Sequence, residues 1–144
     1  MGSISLASIE AHLALLPSPK KEELCALYEL ISEEMKSEPI SFFDGKNENG
    51  KTIANPTIGF GETMLQYANG KKREIFRIGI CATASGLSIH ILGITDKTFL
   101  KNFLGDRLGK VKITGYCIQF KKMKDIDREV LKSFICLVRD LEKS

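Results

Sequence analysis

Apolar residues recur at spacings of three and four in three long stretches, which is the periodicity of helices with one buried face. The first stretch ends at Pro17. The second begins with Ser18 as N-cap and Pro19 in the first turn, and it ends at Pro39. The third follows Asp125, which can cap it. A shorter helix is predicted at 95–104. The apolar stripes are Leu6, Ile9, Leu13 and Leu16, then Leu24, Leu27, Leu30, Ile31 and Met35, and finally Ile126, Val130, Leu131, Phe134, Leu137, Val138 and Leu141.

Strand patterns occupy the chain between these helices. The predicted strands are 61–67, 74–82, 87–92 and 112–120. Asn69-Gly70 and Ser85-Gly86 indicate the turns that join the first three. The segment Asn55-Pro56-Thr57-Ile58-Gly59-Phe60-Gly61 comes just before them. We interpret it as the bend that starts the sheet, with Gly59 and Gly61 letting the backbone turn around Phe60.

These elements predict a single α+β domain over residues 1–144. We expect two layers: an antiparallel sheet of four to five strands, with the N- and C-terminal helices packed on one face. A chain of 144 residues is long enough to bury such a core. The other sheet face is expected to be polar and partly solvated, through Glu62, Gln66, Arg77, Ser88 and Gln119.

Residues 39–57 are predicted to form a long polar loop. The run 44–51, Asp-Gly-Lys-Asn-Glu-Asn-Gly-Lys, is rich in turn formers. Loops of this length in compact domains are commonly mobile or functional, so we expect such a role here.

Composition adds a charge asymmetry to this picture. Hydrophobic residues make up 43% and charged residues 27%, which is ordinary for a globular protein, and the net charge is only +3. Residues 1–48 nevertheless carry a balance of −5, and residues 49–144 a balance of +8. The simpler interpretation of this split is one domain with an acidic helical side and a basic strand side. The alternative is that the basic part binds an anion.

The four cysteines favour a reduced, cytoplasmic setting. Cys25, Cys81, Cys117 and Cys136 form no CxxC pair and lie among apolar residues, so we expect small buried hydrophobes. No secretory leader and no apolar run of membrane-spanning length is recognised in the sequence. A soluble cytoplasmic protein that does not enter a membrane is therefore expected.

The sequence gives little support for catalysis. Its two histidines are His12, in the first helix, and His90, in a strand. His90 beside Cys81 or Cys117 is the one conceivable nucleophilic pair, and a solvated strand imidazole is the simpler interpretation. No HExxH, P-loop or paired CxxC motif is present. We therefore expect a binding protein and no enzyme.

Two charged groups remain as candidate binding sites. Carboxylates are ligands for hard cations such as iron, and the densest acidic surface is Glu22, Glu29 and Glu33 on the second helix. A solvated helix face is the simpler interpretation. The second candidate is a basic sheet face around Phe60, Tyr67, Lys110, Lys112, Lys121 and Lys122. Those lysines either bind an anion or protect a sheet edge from pairing. Aromatic residues near them are sparse, so nucleic-acid binding is not expected.

Several runs resemble the YdhG-like family, whose domain has no assigned function. They are Asn55-Pro56-Thr57-Ile58-Gly59-Phe60-Gly61, Ile78-Gly79-Ile80 and Leu87-Ser88-Ile89. A closing signature is similar as well, in Leu108-Gly109-Lys110-Val111-Lys112, Cys117-Ile118, Phe120-Lys121-Lys122-Met123 and Asp125-Ile126-Asp127. The resemblance covers roughly residues 20–141. The chain departs from it at Cys81-Ala82-Thr83-Ala84, where the family has a basic turn, and at Val111, where a histidine is often found.

The resemblance implies a small cytoplasmic domain with a frataxin-like fold. Some bacterial members are regarded as intracellular iron chaperones, so it implies iron as a cargo. The leading expectation is thus an iron carrier acting through Glu22, Glu29 and Glu33. The alternative is a module that binds a small anion or a protein at the basic sheet edge. A monomer or a homodimer would be compatible with either function.

Overall fold

The computed structural model describes residues 6–47, 49–66, 69–94, 96 and 98–141. The helices are α1 Leu6–Leu15, α2 Lys20–Glu34, α3 Phe99–Leu104 and α4 Arg128–Leu141, with a 3-10 turn at Met123–Asp125. The strands are β1 Ile40–Phe43, β2 Thr57–Phe60, β3 Thr63–Gln66, β4 Lys72–Ile75, β5 Ile78–Thr83, β6 Gly86–Ile91, β7 Lys112–Thr114 and β8 Cys117–Phe120. None of the described helices has the length and apolar character needed to cross a membrane.

The predicted α+β class is confirmed, with more strands than expected. Within the described residues, six strands form one antiparallel sheet in the order β1-β2-β5-β6-β8-β7, and β3 and β4 form a separate hairpin. Three differences raise the strand count. Strand β1 lies inside the predicted 39–57 loop, and β2 lies in the segment interpreted as a bend. The predicted strands 74–82 and 112–120 are each divided in two.

The helices cover one face of the sheet, where the main core lies. Ile58, Ile80, Ile89 and Ile118 occupy the same position on four adjacent strands and are fully buried. The apolar stripes of α1, α2 and α4 pack over them, with Leu27, Leu131 and Phe134 among the buried residues. Fully burying a side chain of this size stabilises the fold by about 1.5–3 kcal/mol. This layer therefore supplies most of the stability of the domain.

The chain breaks its strand alternation at Phe76 and Arg77, between β4 and β5. The unbroken strand predicted at 74–82 would have placed Arg77 on a solvated face. Instead Arg77 is buried, and its Nη1 donates to the carbonyl of Leu92 at 3.0 Å. The predicted solvation of Arg77 was wrong because a guanidinium with a buried acceptor need not face water. The break also sends Phe76 to the sheet face opposite the helices, called the outer face below.

Phe76 lies over two glycines that pair directly across β2 and β5. A Cβ on Gly59 would come within 2.6 Å of the Phe76 side chain, and one on Gly79 within 2.3 Å. Gly59 is therefore needed for close approach, and the predicted turn at this residue was wrong because it lies inside β2. Gly61 does turn the chain, with φ of 72°.

The loop that follows β1 is compact. Gly45, with φ of 86°, accepts hydrogen bonds from the amides of Ile53 and Ala54 at 2.7 and 3.1 Å. Lys46 and Thr52 form an isolated β-bridge. Both ends of residues 44–56 are thus held together, so this segment is called the closed loop below. The single long polar loop predicted at 39–57 was wrong, because β1 and these contacts organise it.

We expect Gly79→Ala to lower the free energy of unfolding by about 1–3 kcal/mol, since the new methyl group overlaps the Phe76 ring. Denaturant unfolding measures this loss. In a Phe76→Ala background the same substitution should cost less, although contact with Thr57 remains. Equal costs in the two backgrounds would show that the ring does not explain the glycine.

Candidate functional site

The outer face carries a groove of about 800 Å³. The closed loop contributes Lys46, Asn47, Ile53 and Ala54, and the sheet and its flanking segments contribute the rest. The apolar lining residues are Phe43, Ile53, Ala54, Ile75, Phe76 and Leu92, and the polar ones are Lys46, Asn47, Thr57 and His90. We call this cavity the outer groove. Its size and lining match those of small-molecule sites, which are mostly apolar with a few polar groups.

The strand register explains why the groove forms here. Ser41, Gly59, Gly79, His90 and Cys117 follow one another across five adjacent strands on the outer face. The two glycines in the middle of this row leave a depression, and Phe76 fits into it. Phe76 is only 9% exposed, yet its side chain helps to line the groove beside His90.

The loop wall is built by backbone hydrogen bonds and leaves an apolar side chain uncovered. The Oδ1 of Asn47 accepts from the amides of Asn49 and Lys51 at 2.9 and 3.0 Å, which fixes the tip of the loop. Ile53 is 60% exposed although it is a large aliphatic residue. Part of the apolar surface of this wall therefore faces solvent.

A cluster of polar and sulfur groups lies next to the groove, around Ser88. The Ser88 Oγ is 3.0 Å from the Cys117 Sγ and 3.4 Å from the His90 Nε2, and the Cys81 Sγ is 3.9 Å from the same Nε2. The structure thus brings His90 together with Cys81 and Cys117, the pairing that the sequence made conceivable. The predicted solvation of Ser88 was wrong, since it is 1% exposed.

The electrostatics of this cluster do not favour nucleophilic chemistry. Burial, with a smaller effect of Cys117, raises the pKa of the Cys81 thiol to about 11, so it stays protonated at neutral pH. Burial also lowers the pKa of His90, so its imidazole is neutral. A reactive cysteine requires the opposite environment, one that stabilises the thiolate. Cys81 is therefore a buried polar neighbour of the groove, and His90 is a half-buried, neutral residue of its lining.

The predicted ligand residue Phe60 lies on the helix side of the sheet, away from the outer groove. It is 0% exposed and packs on the helix side of the sheet, with its ring centroid 6.0 Å from that of Tyr28. The prediction failed because alternation along β2 sends Phe60 to the face that the helices cover. Tyr67, the other predicted aromatic contact, lies outside the described residues.

The predicted basic surface is separate from the groove. Lys110, Lys112, Lys121 and Lys122 are all exposed, and Lys112 begins the edge strand β7 opposite Gln119 of β8. None of these four lines the outer groove. Lys121 and Lys122 instead border a smaller concavity of about 230 Å³, with Lys20 and Glu23 from α2.

The predicted metal residues remain on a solvated helix face. Glu22, Glu29 and Glu33 are exposed on α2. Glu22 accepts a hydrogen bond from the Ser18 hydroxyl at 2.6 Å, which lowers its pKa, and Glu33 is 3.8 Å from the Lys36 ammonium. Across the part of the chain that the structure describes, no three His, Cys, Asp or Glu side chains are arranged to hold a metal ion.

Comparison with known proteins returned no match among protein-family models, curated proteins or solved structures. The YdhG-like resemblance therefore stays a prediction carried by the sequence runs alone.

The sequence interpretation missed most of the groove residues. Ile53 and Ala54 form a short apolar pair inside a polar segment, and this was the available signal that the loop has a buried or ligand-facing side. The role of Phe76 had no local signal, because it depends on glycines from two different strands.

We expect the free energy of unfolding to fall as the pH drops from about 7 to 5. His90 and His12, which packs on Phe42, both have pKa values lowered by burial from 6.5. As the pH falls, the histidines of the unfolded chain therefore take up protons before those of the folded chain. The stability present above pH 6.5 decreases until the pH is below the pKa values of the folded histidines. Denaturant unfolding at several pH values measures this loss.

The His90→Gln and His12→Gln variants provide the control for this pH dependence. Each should remove part of the slope, and the double variant most of it. Glu22 and Asp96 have pKa values lowered by hydrogen bonds, so they affect the free energy of unfolding only below their ordinary pKa values of 4.5 and 3.8. An unchanged slope in the double variant would contradict the assignment.

Proposed function

We propose that this protein is a non-catalytic binding protein that takes a small molecule with an apolar body in the outer groove. The observation that carries the proposal is the groove itself, about 800 Å³ and lined mainly by apolar side chains. Ligand sites of known proteins have volumes of roughly 300–1,000 Å³ and the same mixture of apolar walls and few polar groups.

The exposed apolar surface of the loop wall supports this proposal. Ile53 is 60% exposed, and Phe43, Ile75 and Leu92 from the sheet side line the same groove. A ligand seated among them removes apolar surface from water, which is favourable by about 25 cal/mol per Å² before the costs of association. A ligand of matching polarity would therefore gain binding energy from contacts already in place.

The order of the wall is a second support. The closed loop is fixed by the Gly45 carbonyl and the Asn47 side chain, and Phe76 is fixed on the Gly59–Gly79 pair. A site that is already ordered loses little conformational entropy when the ligand binds. Such preorganisation favours a binding function for the groove.

The polar groups beside the groove favour binding over catalysis. Three possible nucleophiles lie near His90. The Cys81 thiol is protonated at neutral pH, and the Cys117 Sγ is 3.0 Å from the Ser88 Oγ. The Ser88 hydroxyl is buried and 3.4 Å from the imidazole. An activated serine requires a close hydrogen bond to a base that is itself oriented by a third group. We therefore assign these residues to the support of the groove floor.

The lysines at the other sheet edge have a different role in this proposal. Strand β7 is short and ends the six-stranded sheet; Lys110 and Lys112 lie at its start, and Lys121 and Lys122 follow its partner strand β8. Charged side chains at such an edge disfavour pairing with other chains. We assign these lysines to edge protection, which leaves the ligand function to the outer groove.

An iron carrier, as the YdhG-like resemblance implies, stays a separate prediction. Anaerobic titration with ferrous iron tests it. Saturable binding that is lost when Glu22, Glu29 and Glu33 are replaced by Gln would establish the carrier function. Binding that is absent, or unaffected by the triple substitution, would contradict it.

We expect phenylnaphthylamine, a neutral apolar fluorophore, to bind in the outer groove. Ala54→Trp should weaken its binding about tenfold or more, because the indole fills space beside an exposed alanine of the wall. Fluorescence titration gives the affinities. Ala14→Trp on α1 is the matched control, since Ala14 is also exposed but lies away from the groove.

Two results would overturn the proposed function. One is the absence of saturable fluorophore binding to the folded wild-type protein. The other is equal binding by the wild-type and Ala54→Trp proteins, both with the same far-ultraviolet circular dichroism. Loss of binding in both tryptophan variants would also count against the groove, since it would show a dependence on the fold and not on this wall.

A further inference from the structure

The polar groups of the outer groove are unevenly distributed. Lys46 and Asn47 lie on the closed loop, whereas the sheet side contributes mainly apolar residues such as Phe43, Phe76 and Leu92. No carboxylate is among the described residues that line the groove. At neutral pH the imidazole of His90 is uncharged because burial lowers its pKa. Lys46 is therefore the one charged side chain in the described lining.

The side-chain groups of Lys46 and Asn47 that are still available for a ligand are hydrogen-bond donors. The Asn47 Oδ1 already accepts from two backbone amides, which leaves the Nδ2 of the side chain to donate. The Thr57 hydroxyl donates its proton to the Asn55 carbonyl at 3.0 Å, so it can only accept from a ligand. The Lys46 ammonium forms no ion pair with any described residue of the chain. An ammonium and an amide donor in the lining of one groove are complementary to an anion.

The backbone of Lys46 is held in place although its side chain is exposed. Its amide donates to the Asp44 Oδ1 at 2.9 Å, and it bridges to Thr52 across the loop. Asp44 is thereby occupied in the turn and is not part of the groove lining. The charge of Lys46 is thus presented from an ordered part of the loop.

We propose that the ligand of the outer groove is a small amphipathic monoanion, with its charged group at Lys46 and Asn47 and its apolar body against Phe76 and the sheet side. This inference rests on the proposed function and adds the chemical class of the ligand. A single ammonium fits a monoanion, and the apolar sheet side excludes ligands that are polar throughout, because those would lose hydration there without compensation.

A pair of fluorescent probes separates the charge from the apolar body. Anilinonaphthalene sulfonate and phenylnaphthylamine share one ring system, and only the first carries an anionic group, which stands in for the charged group of the ligand. We expect the wild-type protein to bind the sulfonate more tightly. Lys46→Gln should weaken sulfonate binding about fivefold, the size of a partly screened charge pair. It should weaken phenylnaphthylamine binding clearly less, because the neutral probe has no charge for the ammonium to attract.

Lys51→Gln is the matched control for the charge. Lys51 is an exposed lysine of the same loop that does not line the groove, so both probes should bind this variant as they bind the wild type. Added salt should weaken sulfonate binding to the wild type and to Lys51→Gln, and should have a smaller effect on Lys46→Gln.

The possible results distinguish this inference from the proposed function. If phenylnaphthylamine binds in an Ala54-dependent way but the sulfonate gains nothing from Lys46, the groove takes neutral ligands and the inference is overturned. If Lys46→Gln and Lys51→Gln weaken the sulfonate equally, general surface charge is responsible and the inference also fails. If neither probe binds the folded protein, the proposed function itself is wrong.

Discussion

The contact between Phe76 and the glycine pair Gly59–Gly79 is the constraint on which the outer face depends. Only glycine allows an aromatic ring to lie this close to two adjacent strands, since a Cβ at either position would overlap it. The ring in turn fixes the point at which β4 ends and β5 begins, and with it the burial of Arg77. Without this contact Phe76 would not line the outer groove beside His90.

The two faces of the sheet have different roles. The helix side is filled by isoleucines from four strands and by the stripes of α1, α2 and α4, and it supplies stability. The outer side is held by one aromatic ring, a buried cluster of Ser88 with its neighbours, and a loop closed on Gly45. These elements leave apolar surface uncovered, which a domain of ordinary stability can tolerate when that surface serves binding.

The sequence predicted what is local and failed where contacts come from distant segments. The stripes of α2 and α4 repeat within a few residues, so the helices and the α+β class followed directly from the spacing. The prediction that Phe60 contacts a ligand failed because the sheet face on which Phe60 lies depends on how β2 pairs with β5. The groove was missed for the same reason, since Ile53, Phe76 and His90 are far apart in sequence and meet only in the folded sheet. The charged residues follow the same rule. The lysines near β7 form a cluster that the sequence reveals, whereas nothing near Lys46 in the sequence indicates that it lines a groove.

We propose that the outer groove is the binding site of this protein. Mapping of backbone amide chemical shifts during titration with anilinonaphthalene sulfonate locates the bound probe, because the signals report location independently of affinity. We expect the largest changes at Ala54, Phe76 and His90, with little change at Lys112 and Lys121. Saturable changes centred on the β7 edge or on the exposed face of α2, with the groove amides unaffected, would contradict it.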